Sequence, residues 1–378
     1  MKIYYVTNVR FPTEKAHGWQ IAKMCDAFAS LGHEVTLVVP DRVTPIKEDA
    51  QSYYQLAQDF EIKKLKIWDA LDVRWIPRLP AFLLTEWSFK RAVEKWKRNM
   101  PDDAALVMTR DQFLVKQLMR PRWKVAFEAH DISPRFFWLH RKLSRYVDLL
   151  VASNEWKKNE ILKRWGKDLK GKVIALQNGI ELKPYLEMPT KEEARRTLEW
   201  EKEKKVALYT GHLYDWKGVY VLADASKELP LGSEVVMLGG TPEDAKRMRE
   251  YVEKNDLNKI RLVAHVPHKD VLTYLAAADC LVIPNTAKSW NSLYTTSPIK
   301  LWEYLAARRP VVASDLPSLR ESVTDEEVFF VKPDDPRALA QGIEKACTDD
   351  GGRVENGWKR AQNQTWQARA KKIVEAVL

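Results

Sequence analysis

Cysteine is scarce in this chain and long hydrophobic runs are missing. Three cysteines occur in 378 residues (Cys25, Cys280, Cys347), far apart and without a CxxC pair. That argues against a disulfide framework or a cysteine-held zinc site, and reduced thiols are expected. No apolar run approaches the ~18 residues of a membrane-spanning helix. HExxH and Asp-x-Asp are both absent, so no metal site is expected. The opening MKIYYVTNV reads as a strand. It lacks the apolar core and small-residue cleavage site of a signal peptide, so a cytoplasmic location is expected. No short-period repeat or low-complexity tract is present.

Charge is plentiful, and its distribution is uneven. Residues 1–180 hold 32 Lys+Arg against 21 Asp+Glu, whereas residues 181–378 hold 30 against 31. A basic first half suggests a polyanion or an anionic membrane as partner. The stretch 68–100 concentrates the excess, mixing Trp68, Trp75, Trp87 and Trp96 with Arg74, Arg78, Lys90, Arg91, Lys95, Lys97 and Arg98. Two readings stand side by side. One is an interfacial membrane segment, peripheral on the inner face of a plasma membrane. The other is a solvated helix with its tryptophans in the core. No helix-turn-helix, zinc or RNP-like motif accompanies the charge, so no nucleic acid is expected.

Apolar strands alternate with helical stretches along the whole chain. In the first half strands are expected at 2–7, 34–39, 62–67, 105–109, 124–129, 148–152 and 172–176. Helices are expected at 18–31, 87–99, 111–119, 135–146 and 154–165. The second half repeats the rhythm, with strands at 205–210, 234–238, 260–264, 280–283, 310–313 and 327–331. Helices there fall at 217–228, 242–254, 268–277, 298–308 and 335–347. Continuous apolar strands between helices mean parallel sheets covered on both faces. Two such runs predict two doubly wound, Rossmann-like α/β domains, 1–180 and 181–352, with ligands at the carboxyl ends of the strands. The charged segment 181–204, with Pro184 and Pro189, marks the boundary. A C-terminal helical stretch, 353–378, is expected to pack back on the first domain.

Two lysines stand out. In SPIKLWEYLAARRPVVASD (297–315), Ser297 and Pro298 suit a helix start, as N-cap and first helical residue. Lys300 then sits in a first turn whose partial positive charge disfavours a cation. In YTGHLYDWKG (209–218), Gly211 ends a strand and Lys217-Gly218 opens the next helix. A cation added to a helix N-terminus makes sense where an anion such as phosphate completes the site. Glu303 stands three residues after Lys300, on the same face. The plain reading is an intrahelical ion pair. The functional reading is a carboxylate that accepts hydrogen bonds from adjacent sugar hydroxyls, as acidic residues do for ribose in dinucleotide folds.

Together with LPSLRE, these segments resemble the donor-binding domain of the family 4 retaining glycosyltransferases, which have the GT-B fold. FPTEKAHGWQIAKMCDAFASLGHEVTLVVP resembles the first βαβ unit of their acceptor domain. FEAHD (127–131) resembles the strand end that carries their active-site histidine, and QNGIEL (177–182) resembles a stretch near their interdomain crossing. The resemblance implies transfer of a sugar from a nucleotide-diphosphate donor, UDP- or GDP-linked, to a glycan or lipid-linked acceptor, without a metal. It implies that Lys217 binds the diphosphate. Gly211 and His212 lie in that turn, His212 standing where the family usually has arginine. Lys300, with Ser297, Pro298 and Ile299 around it, would hold phosphate or donor sugar, and Glu303 the ribose. Ala264, His265 and Val266 would edge the nucleobase with backbone groups. Gly18, read in the loop after the first strand, would let a helix N-terminus approach the donor phosphate. His130 would sit between donor and acceptor, with His17 and Trp19 near the acceptor. His33, His140 and His268 have no strong claim.

The family often has a glutamate eight positions before the one matched by Glu303. Here Thr295 occupies that place, leaving the donor sugar open. Two rivals remain. One is a GT-B sugar-nucleotide 2-epimerase, for which Asp131 is the only obvious extra carboxylate. The other is a non-catalytic nucleotide-sugar or nucleic-acid binding protein.

Overall fold

The computed structural model describes residues 1–73, 75–130, 141–166, 169, 171–297, 299–349 and 351–378. These residues form two compact units, Met1–Asn178 with Trp366–Leu378, and Gly179–Thr365.

The first unit is built on β1 (Lys2–Val6), β2 (Glu34–Pro40), β3 (Glu61–Leu65), β4 (Ala105–Thr109), β5 (Trp123–Ala129), β6 (Leu149–Ala152) and β7 (Val173–Ala175). They form one parallel sheet in the order β3-β2-β1-β4-β5-β6-β7. Alternate side chains feed two cores. Tyr4, Val6 and Val107 face one side with Phe89 and Trp96, and Ile3, Tyr5 and Leu106 face the other with Ile21, Cys25 and Phe28. Helix Trp366–Val377 joins the second core through Trp366, Ala370 and Ile373.

The second unit has β8 (Lys205–Thr210), β9 (Ser233–Leu238), β10 (Ile260–Val263), β11 (Cys280–Ile283), β12 (Val311–Ser314) and β13 (Phe329–Val331). Its sheet is also parallel, in the order β10-β9-β8-β11-β12-β13. The strand order reverses between β1 and β4 in one unit and between β8 and β11 in the other. Crevices for ligands open at such switch points.

The structure departs from the sequence expectations in several places. Helix Arg78–Arg98 begins nine residues before the expected start, with Pro80 inside its first turn. An N–H missing there breaks no intrahelical bond. Residues 111–119 form turns instead of a helix, because the Asp111 carboxylate accepts from the Phe113 amide at 2.8 Å and draws the backbone into an Asx turn. Half of the expected helix 135–146 lies outside the described residues, as do Arg74, Asp131, His140 and Pro298, and residues 141–146 are helical. The boundary segment carries a short helix, Lys191–Thr197, with a Thr190/Glu193 capping box. The C-terminal stretch divides. Helix Gly352–Gln362 contributes Trp358 and Ala361 to a second-unit core, and only the final helix belongs to the first unit.

Candidate functional site

In the second unit, functional candidates collect at the carboxyl ends of β8 and β10 and on the helix after β11. Past β8 the chain turns at Gly211, with φ +119°, where a Cβ would meet Lys300 Nζ at 3.1 Å. The glycine thus leaves room for the lysine. A short 3-10 turn, Asp215–Lys217, leads into helix Val219–Glu228 through Gly218. Gly218 has φ +70°, and a Cβ there would lie 1.8 Å from the Pro284 carbonyl oxygen. Only glycine fits.

Lys217 lies half-buried with Nζ 3.9 Å from the centre of the Trp216 ring. Burial lowers its pKa to about 8. Lys300, on helix Ile299–Ala306, places Nζ 3.7 Å from the centre of the Tyr209 ring. Its pKa is also lowered, by burial first and then by Lys217, with Glu303 opposing. Among the described residues neither lysine has a carboxylate within ion-pair distance. Instead Glu303 lies 3.1 Å from His268 Nε2, at the start of helix His268–Ala277. The intrahelical Lys300–Glu303 ion pair is therefore not formed.

His212 stacks flat on Tyr214 at 4.8 Å. Burial lowers its pKa, Asp244 opposes, and Lys217, Lys300 and His265 add to the lowering. The fold thus brings His212, Lys217, Lys300 and His265 close together. Ala264 and His265 are exposed and Val266 half-buried in the loop between β10 and the His268 helix. Ser297 and Ile299 are half-buried beside Lys300. Tyr304, buried one residue past Glu303, hydroxyl-bonds the Thr210 amide at 2.8 Å and ties this helix to the end of β8. Thr295 bonds back to Asn291 at 3.1 Å.

In the first unit, His130 follows β5. Its Nε2 lies 3.0 Å from Glu128, and Arg110 Nη2 lies 2.8 Å from its Nδ1. Arg110 Nη2 also contacts Nε2, so the guanidinium faces both ring nitrogens. Burial lowers the His130 pKa to about 4 against the pull of Glu128, so the ring is neutral at physiological pH. Burial alone would raise the Glu128 pKa, but Arg369, His130 and Arg110 hold it well below the usual carboxylate range. Arg369, from the C-terminal helix, reaches Glu128 at 2.6 Å, and Tyr5 donates to it at 3.1 Å. Lys157 fixes the His130 carbonyl at 3.0 Å.

His17 and His130 both line a cavity of about 540 Å³ with Asn8, Glu86, Arg110 and Asp111. Trp19 lies outside that lining. It packs against Tyr54 at 6.2 Å, with Lys23 over its ring. Gly18 is in the first turn of helix Ala16–Ser30 rather than in a loop. A Cβ there would meet Tyr54 Oη at 2.4 Å and Thr13 Cγ2 at 2.5 Å, so packing within its own unit explains the glycine.

Sequence reasoning missed Arg110, Glu128, Arg369 and His268. Glu128 was visible as an acid two positions before the candidate histidine, hence on the same face of its strand. The others are tertiary partners that leave no local signal.

Residues 190–370 match the family described as "Glycosyl transferases group 1". The match covers slightly less than half of the chain, nearly all of it within the second unit. A teichuronic acid biosynthesis glycosyltransferase of Bacillus subtilis is 28% identical over 154 residues, 41% of this chain and 36% of the relative. The chain thus spans little more than a third of that relative's length. Sucrose-phosphate synthase of Thermosynechococcus elongatus superposes with a TM-score of 0.75 at 19% identity, over 99% of this chain and 97% of that one. Anabaena HepE, solved with UDP and glucose, gives 0.72 at 15% identity over 100% and 99%. These likenesses establish the fold as GT-B.

The basic segment 68–100 forms a surface of its own. Trp75 is 83% exposed, and Trp68, Leu79, Leu83 and Trp87 are all more than half exposed, whereas Trp96 is buried. Arg91 caps the Trp87 ring at 4.7 Å. No helix among the described residues is long and apolar enough to cross a membrane.

Proposed function

We propose that this chain is a retaining glycosyltransferase that moves a sugar from a nucleotide-diphosphate donor to a hydroxyl of a glycan or lipid-linked acceptor, in cell-surface glycan synthesis. One observation carries the reading. Lys217 and Lys300 are held half-buried, without carboxylate partners among the described residues, beside the starts of two helices at the carboxyl end of a parallel sheet. Such cations are costly to maintain unless an anion joins them, and a diphosphate supplies two phosphates. HepE was solved with UDP, which supports UDP as the leaving group, with GDP the other candidate.

Departure of the diphosphate leaves oxocarbenium-like charge on the sugar. The two lysines and the helix N-termini stabilise the leaving anion, a role elsewhere filled by a metal ion. Glu303 accepts the ribose hydroxyls, and the carboxylate–His268 contact sets its orientation. His130 enters as a neutral imidazole. The configuration at the anomeric carbon is retained by same-face attack.

Incubation with a panel of UDP-, GDP-, ADP- and dTDP-sugars, with release of free nucleotide as readout, tests the reading. Turnover of one donor, lost in Lys300→Met, is expected. No release from any donor, with or without lipid vesicles, argues for the binding-protein reading. Trp68 and Trp87, which line one groove with Arg91, Lys95 and Arg98, support peripheral docking on an anionic bilayer. Co-sedimentation with anionic vesicles at low salt is expected, and its absence retires the docking.

A further inference from the structure

The cavity of the first unit contains a carboxylate pair that the reaction described above does not use. Glu86, on helix Arg78–Arg98, lines the cavity and is 8% exposed. Asn8 donates to its Oε1, and its Oε2 has no hydrogen-bond partner. Asp111, at the end of β4, lines the same cavity and accepts from the Phe113 amide at 2.8 Å. Two adjacent carboxylates poor in water do not both ionise near neutrality. Burial and Asp111 raise the Glu86 pKa to about 7, with Asn8, Lys90 and Arg42 opposing. A proton on the pair also gives the orphaned Oε2 a hydrogen-bonding role. Above it, Phe82 and Phe113 meet edge to face at 6.3 Å and furnish an apolar wall.

A group that donates and accepts at once suits a pair made of one carboxyl and one carboxylate, and a hydroxyl is such a group. Arg110, the one lysine or arginine of the lining, is already engaged by Gln20 at 2.7 Å and by His130. Lys90, with Nζ 5.0 Å from the centre of the Phe113 ring, stands outside that lining, so within the lining the pair presents an acidic wall, which disfavours an anionic ligand. We propose that Glu86 and Asp111 read adjacent hydroxyls of an uncharged pyranoside or cyclitol ring, the acceptor, seated against Phe82 and Phe113. The assignment rests on the glycosyltransferase reading and names its acceptor chemistry.

Saturation-transfer NMR with methyl α-glucopyranoside, methyl β-galactopyranoside, myo-inositol and glucuronate tests it. Wild type, Glu86→Gln, Glu86→Ala and Asp111→Ala are compared, and UDP and GDP binding are measured on every sample. Binding of at least one uncharged ring is expected. It should weaken about tenfold or more in either alanine variant and largely recover in Glu86→Gln, whose amide still donates and accepts. Infrared spectra just below neutral pH should show a protonated-carboxyl band that Glu86→Gln removes. A merely structural glutamate would not produce that band. Preference for glucuronate, or alanine variants that bind like wild type, overturns the proposal. If a nucleotide binds and no uncharged ring does, the acceptor assignment falls alone. If neither binds, the enzyme reading falls with it.

Discussion

Replacing Lys217 with methionine should stabilise the free protein and cripple its donor site. The lysine's pKa falls from 10.5 to about 8 on burial, equivalent to about 3 kcal/mol held against the charged form. Partial contact with solvent, and with the Trp216 ring, reduces this to roughly 1–2 kcal/mol. The folded-state value lies below the unfolded one, so protonation favours the unfolded chain. The cost is complete below pH 8, shrinks as pH rises and is gone above pH 10.5. Methionine keeps the length and removes the charge. At neutral pH its transition should rise by roughly 2–6 °C for the unit that carries it. Affinity for a nucleoside diphosphate should fall about 10–150-fold, the value of one charge-assisted contact of roughly 1.5–3 kcal/mol. In wild type, UDP or GDP binding should take up a proton near pH 8 and weaken above it. Thermal melts with and without nucleotide, and calorimetry in two buffers of different ionisation heat, read all three quantities. A variant that melts lower without nucleotide, or that binds nucleotide like wild type, refutes the reasoning.

Gly218→Ala forces a Cβ within 1.8 Å of a backbone carbonyl at φ +70°. It should cost about 2–4 kcal/mol, seen as a lower urea midpoint. Arg369→Met leaves Glu128 charged and buried beside His130, which should cost about 3–5 kcal/mol; Arg369→Met with Glu128→Gln should recover most of it. Cys280 and Cys347 place their sulfurs 3.8 Å apart. Peroxide should oxidise the half-buried Cys347 thiolate to a sulfenic acid, whose sulfur the Cys280 thiol attacks, forming a disulfide as the hydroxyl leaves with the thiol proton as water. Peptide mapping should find that bond, with Cys25 still reduced, and three unmodified thiols would contradict it.

The strands were legible because parallel strands covered on both faces read as uninterrupted apolar runs: KVALYT, EVVML and CLVI each became a strand at or within a residue of its expected place. The lysines were legible because a cation in a first turn breaks a local electrostatic preference. Pairings set by the tertiary fold were not. Nothing near Glu303 in sequence announces His268, 35 positions away, and nothing near Glu128 announces Arg369, 241 positions away. The Cys280–Cys347 contact likewise joins the start of β11 to the end of helix Pro336–Ala346, two elements adjacent only in space. The start of helix Arg78–Arg98 was missed, and the structure places Pro80 in its first turn, where a missing N–H is tolerated.

Calorimetric titration of UDP, GDP, ADP and dTDP into wild type and Glu303→Ala tests the central claim most directly. The account predicts that one uracil or guanine nucleotide binds wild type and that the alanine variant binds it at least tenfold more weakly, about one lost hydrogen bond to a charged acceptor. Heat with none of the four, or equal affinity in the variant, would contradict it.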